Sequence, residues 1–143
     1  MRDRISIRIN NHTGEVMEAV RQKTALALSL MGEVVEGYAK DDCPVDTGLL
    51  RNSLTHGPGK GAPKITSYHA DTPKPGRPSS GSYPGSLNGK VDCEYVGSNV
   101  EYAQYVEFMD RSHVVGKAHF LRDAGQNHVD ELRDVAAAAL SSI

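Results

Sequence analysis

Arg4-Ile5-Ser6-Ile7-Arg8-Ile9 alternates polar residues with β-branched apolar ones, the period of a strand with one buried face. Asn10-Asn11-His12-Thr13-Gly14 breaks that pattern. From Glu15 to Lys40 the apolar positions Val16, Val20, Ala27, Met31, Val34 and Tyr38 recur at helical spacing, with Glu18, Arg21, Glu33 and Glu36 between them. The spacing predicts a long amphipathic helix with Thr13 as N-cap and Glu15 in its positive first turn. Pro44 disfavours helical geometry at Cys43 and should end it. A short helix is expected next, with Asp46 capping it and Leu49, Leu50 and Leu54 on one face.

Val91, Cys93 and Tyr95 alternate with Asp92 and Glu94, which predicts a strand stopping at Gly97. Ser98 and Glu101 match a capping box ahead of a helical run from Tyr102 to Phe108. A loop from Met109 to His119 then leads to a last helix, whose stripe runs Phe120, Leu121, Ala124, His128, Leu132, Val135, Ala136, Ala139 and Leu140. Gly125 lies inside that stripe and costs about 1 kcal/mol relative to Ala, so a bend or a late start is expected. The predicted class is α+β, a small antiparallel sheet covered on one face by two long helices. With 143 residues, the chain has room for one domain and one sizeable core.

Residues 57–89 depart from this patterning. They hold seven Gly and six of the seven Pro, which leaves Lys64 to Ala70 as the one short strand expected there. Lys60, Lys64, Lys74, Arg77 and Lys90 face Asp71 alone in charge, so a basic arm is inserted in an acidic body. The formal net charge of -2 argues against a surface built wholly for nucleic acid, and any such contact must be local to this arm. A Pro/Gly-rich insert of this length is expected to take its shape from partner contacts, against a neighbouring subunit or a phosphate backbone.

No secretory apolar segment is expected near Met1, and the stretch from Ala25 to Met31 is far short of the ~20 residues that span a bilayer. Cys43 and Cys93 make neither a disulfide scaffold nor a zinc site by themselves, and both are expected reduced and buried, which implies a cytoplasmic compartment. His12, His56, His69, His113, His119 and His128 are not spaced as metal pairs, so no metal is expected. Gly57-Pro58-Gly59-Lys60-Gly61 lacks the Gly-Lys-Ser/Thr ending and following helix of a phosphate loop, and no nucleotide or other cofactor is expected. Asp46-Thr47-Gly48 has an enzymatic reading, a dimeric aspartic protease sharing one proton between two aspartates. The residues after it are spaced as a helix, which favours capping over catalysis, and no catalytic residue is assigned.

Three motifs in order carry a resemblance. Pro44-Val45-Asp46-Thr47-Gly48-Leu49-Leu50-Arg51-Asn52-Ser53-Leu54 comes first. Val96-Gly97-Ser98 with Tyr102-Ala103-Gln104-Tyr105-Val106-Glu107-Phe108 follows, then Phe120-Leu121-Arg122-Asp123-Ala124. From about Ile5 to Leu140 the chain resembles the gp10-like tail-component family of long-tailed bacteriophages, with 57–89 as a variable insert. Where that family usually has Gly-Thr, Met109-Asp110 stands here, and His119 stands where it usually has Pro. The resemblance implies a non-enzymatic virion protein of the neck, working as a homo-oligomeric ring with other connector and tail proteins around the DNA passage. It implies scaffold roles for Asp46, Thr47, Gly48, Tyr102, Ala103 and Glu107. Tyr102, Tyr105 and Phe108 cannot all face inward on so short a helix, so at least one aromatic is expected to meet a neighbouring subunit. The arm cations Lys60, Lys64, Lys74, Arg77 and Lys90 are expected to reach a neighbour or the DNA. A cytoplasmic peptide-binding adaptor is the remaining alternative.

Overall fold

A computed structural model describes residues 12–109, 113 and 116–141. The strand expected over Arg4–Ile9 lies outside the described residues, as does most of the loop between Met109 and Gly116.

The long helical pattern becomes α1, Thr13–Asp42. Cys43 is extended, with φ -65° and ψ 131°, so the helix stops where Pro44 requires. Its other end corrects the expected cap: Thr13 is the first helical residue and His12 occupies the N-cap. The short α2, Leu49–Ser53, follows, and Leu49, Leu50 and Leu54 are all buried.

The chain is α+β, with one long helix, small antiparallel sheets of two strands each and further short helices. β1 (Thr55–Pro58) pairs with β6 (Glu94–Gly97), placing His56 opposite Val96. β2 (Lys60–Gly61) pairs with β5 (Leu87–Asn88), and β3 (Ser67–His69) with β4 (Ser80–Ser82). The segment from 57 to 89 therefore holds more strand than its composition suggests. Only three residues of the expected Lys64–Ala70 strand are extended in a ladder. β6 also starts later than the alternation from Val91 implies, because Asp92 adopts φ 59° and turns the chain. The Cys93 carbonyl there accepts the Gly59 N–H at 2.8 Å.

α3 spans Ala103–Phe108. The expected capping box does not form: Ser98 Oγ accepts the Val100 N–H at 3.0 Å in a turn before the helix, and Glu101 is exposed. The predicted last helix is divided into α4, Phe120–Gln126, and α5, Val129–Leu140. The break falls beyond Gly125, at His128, whose ring stacks on Tyr38 with centroids 3.4 Å apart and planes 2° from parallel. The Tyr38 hydroxyl donates to Glu131, fixing the start of α5 against α1.

α4 and α5 pack on α1 together with β1 and β6. Gly32 makes the close approach to the strands possible, since a Cβ there would sit 2.8 Å from His56 Nδ1. The core joins Ala39 and Cys43 of the α1 end to Leu49, Leu54, Tyr68, Phe120 and Ala124. Phe120 and Leu54 have no exposed surface.

Candidate functional site

Pro44–Gly48 turns the chain from α1 into α2. Gly48 is the N-cap of α2 at φ 85°, a left-handed conformation that favours glycine, and a Cβ there would lie 2.7 Å from Asp71 Oδ2. Thr47 Oγ1 accepts the Leu49 N–H at 3.3 Å, so the local oxygen at the helix start is that of Thr47. This corrects the capping role expected for Asp46. Asp46 Oδ1 instead accepts from Lys74 Nζ at 2.7 Å, and Oδ2 accepts from Arg77. The hydrogen bond from Lys74 and the charge of Arg77 hold its carboxyl below the usual carboxylate range.

Asp71 anchors the arm a second time. Its Oδ1 accepts from Asn52 Nδ2 at 3.0 Å and its Oδ2 from Arg51 Nη2 at 2.6 Å, which lowers its pKa too. The Thr72 N–H donates to the Thr47 carbonyl at 3.0 Å. Further along, Tyr68 donates to Asn99 Oδ1 and Tyr83 donates to the Ser53 carbonyl, each at 2.5 Å. The arm thus lies on its own chain, and the expectation that partners give it shape is corrected. Its Tyr and Asp residues supply the fastening that its Gly and Pro residues concealed.

The arm cations divide accordingly. Lys64 reaches Glu33 at 3.1 Å, and Lys74 and Arg77 are occupied by Asp46. Lys60 and Lys90 are exposed and make no ion pair among the described residues.

Tyr102, Ala103 and Glu107 join the remaining motifs. Ala103 is buried, and Tyr102 lines a cavity of about 280 Å³ with Pro44, Val45, Asp46, Thr47, Gly48, Leu50, Val106 and His113. Glu107 is buried, with its Oε2 accepting the Leu121 N–H and its Oε1 the Arg122 N–H, both at 2.9 Å. A carboxylate so placed satisfies the open donors at the start of α4 and complements its dipole. The helix that brings these groups inward turns Tyr105 and Phe108 outward, 59% and 76% exposed.

Asp46 faces two cations, an arrangement opposed to a proton shared between carboxylates. Among the described residues, no three His, Cys, Asp or Glu residues come together as metal ligands, and no helix is long and apolar enough to cross a membrane. His56 Nδ1 lies 2.6 Å from Glu94 Oε1 inside the β1–β6 face, a pairing between positions 38 residues apart that no local pattern marks. Compared with known proteins, the chain matches no family model, no curated protein and no solved structure.

Proposed function

We propose that this chain is a structural subunit of a bacteriophage neck, assembling head to tail into a ring that joins the capsid connector to the tail tube and leaves a passage for DNA. The observation that carries the reading is the division of labour on α3. Ala103 and Glu107 hold the scaffold together while Tyr105 and Phe108 stand on the surface. Exposed aromatics of this kind favour contact with another protein surface. The three motifs that resemble the gp10-like tail components supply the residues of that scaffold, Asp46, Thr47, Gly48, Tyr102, Ala103 and Glu107. In this reading the protein acts without a cofactor or catalytic group. Its partners are its own copies and the adjoining connector and tail proteins, and it is assembled in the host cytoplasm.

The test is copy number, measured by native mass spectrometry of the purified chain and by electron microscopy of particles. Several copies arranged as a ring at the head-tail junction are expected. A persistent monomer that is missing from particles overturns the reading, as does a dimer that cleaves peptides.

A further inference from the structure

β1 and β6 form a two-stranded ribbon whose two outer edges differ. The Gly59 N–H donates to the Cys93 carbonyl at 2.8 Å, continuing the register that pairs Gly57 with Tyr95 and Thr55 with Gly97. Bonded pairs alternate with unbonded ones in an antiparallel ladder, so His56, Pro58, Glu94 and Val96 turn their backbone groups outward. On the β1 side, the His56 carbonyl accepts the Lys64 N–H at 2.8 Å and Pro58 has no N–H to offer. On the β6 side, no backbone group among the described residues takes up the outward N–H and C=O of Glu94 or Val96. Val96 is half-buried there, and Tyr95 between them is 44% exposed.

An open strand edge is a template for one more strand. β2 and β5 are two residues long and β4 reads Ser-Gly-Ser, whereas Tyr95 and Val96 give β6 an apolar edge. The sequence holds one strand pattern with no place in these ribbons, Arg4–Ile9, which lies outside the described residues. Reach determines which copy that segment can serve. Gly32 sits against Glu94, since a Cβ there would be 2.8 Å from Glu94 Cγ. His12 lies about 30 Å back from Gly32 along α1, at 1.5 Å per residue. β6 then runs on toward α2, where Ser98 Oγ meets Ser53 Oγ at 2.5 Å. An extended chain covers at most ~3.6 Å per residue, so Ile9 stays within about 11 Å of His12 and Ile5 within about 25 Å. Ile5, Ile7 and Ile9 therefore cannot lie along β6 of their own chain.

We infer that Arg4–Ile9 of one copy adds as a strand to the outer edge of β6 in the next copy. Glu94 and Val96 thereby gain backbone partners, and a two-stranded ribbon, marginal by itself, becomes three-stranded across the subunit boundary. By alternation, Val96 lies on the α1 side of the ribbon with His56 and Glu94, and Tyr95 on the other. A strand beside β6 continues both faces, with Ile5, Ile7 and Ile9 on the α1 side and Arg4, Ser6 and Arg8 beside the exposed Tyr95. Because donor segment and acceptor edge are different patches of one chain, the contact is head to tail and repeats around a ring. The inference rests on the ring reading and names a contact that would build it.

A photo-crosslinking residue in place of Ser6, in a mixture of light and isotopically heavy full-length chains, identifies what the segment touches. Crosslinks between copies to 94–97 are expected, with slower hydrogen exchange at the Val96 amide in assembled protein than in the monomer. Assembled protein whose crosslinks stay within one chain or go elsewhere overturns the strand addition and leaves the ring reading standing. Crosslinks to 94–97 in a closed dimer uphold the strand addition and overturn the ring. Protein that remains monomeric alone and in particles overturns both. Ile7→Asp sets a charge in the apolar row of the donor segment and is expected to weaken association roughly tenfold or more, with an unchanged melting temperature of the monomer. Undiminished association of that variant also overturns the strand addition.

Discussion

Glu107 closes the start of α4 from 14 residues away, its Oε2 accepting the Leu121 N–H at 2.9 Å. Its other oxygen takes the Arg122 N–H at the same distance, so one buried carboxylate joins α3 to α4. Replacing it with Ala leaves both donors without this partner. Glu107→Ala is expected to lower stability by about 1.5–3 kcal/mol, and Glu107→Gln by less, in chemical denaturation. Equal stability of both variants to the parent would remove this role.

Gly48→Ala tests the turn into α2. An L-residue held at the observed φ of 85° costs roughly 1–2 kcal/mol, and the added methyl also presses on Asp71. In a denaturation cycle with Asp71→Ala, the two losses are expected to be less than additive, because the second change removes the obstruction. Strict additivity would separate Gly48 from the arm.

Acidification should release the arm. Hydrogen bonds from Lys74 to Asp46 and from Asn52 to Asp71 lower both folded-state pKa values, so the folded chain binds fewer protons than the unfolded one. Their contribution is present above the unfolded carboxyl pKa of about 3.9 and disappears as pH falls through the lower folded values. Hydrogen exchange at Thr72, whose N–H is held by Thr47, is expected to lose protection first as pH drops below about 4. Protection there that outlasts that of α1 would contradict this.

In the proposed ring, Lys60 and Lys90 are the arm cations that no ion pair among the described residues already occupies. Lys60→Glu/Lys90→Glu changes exposed residues with no ion pair among the described residues, so stability is expected to stay within about 0.5 kcal/mol while head-tail joining in particles declines. Lys74→Glu/Arg77→Glu should instead loosen the arm itself, seen as faster proteolysis between Asp71 and Ser80. Normal joining with the first pair reversed would exclude those lysines from the interface.

The thiols should separate by reactivity. Burial pushes Cys43 up to about 12, and it is only 1% exposed, whereas Cys93 is half-buried at the strand edge. A thiol reagent at mildly alkaline pH is expected to label Cys93 alone, with Cys43 reacting only on unfolding. Equal labelling of the folded chain would place Cys43 outside the core.

Periodicity made α1 legible because its apolar spacing and Pro44 both act locally, and the same was true of the buried Leu49, Leu50 and Leu54. The start of β6 was not legible, since the alternation through Val91 and Cys93 passes over a left-handed Asp92. At Asp46 the local pattern favoured a cap, yet cations 28 and 31 residues away take the carboxylate. Glu107 was marked by its motif, while its bonds to Leu121 and Arg122 depend on tertiary approach alone. Tyr68 and Tyr83 decide the arm's course through Asn99 and Ser53, contacts that a Gly/Pro count does not register.

In the proposed ring, an insert already fastened to its parent body would meet a neighbour as a finished part. Docking of such pieces carries little entropy loss from chain ordering, so its heat-capacity change should reflect two preformed faces and no more. The pace of association is then set by how often correctly oriented molecules collide, rising with their concentration, and not by a slow search within either molecule.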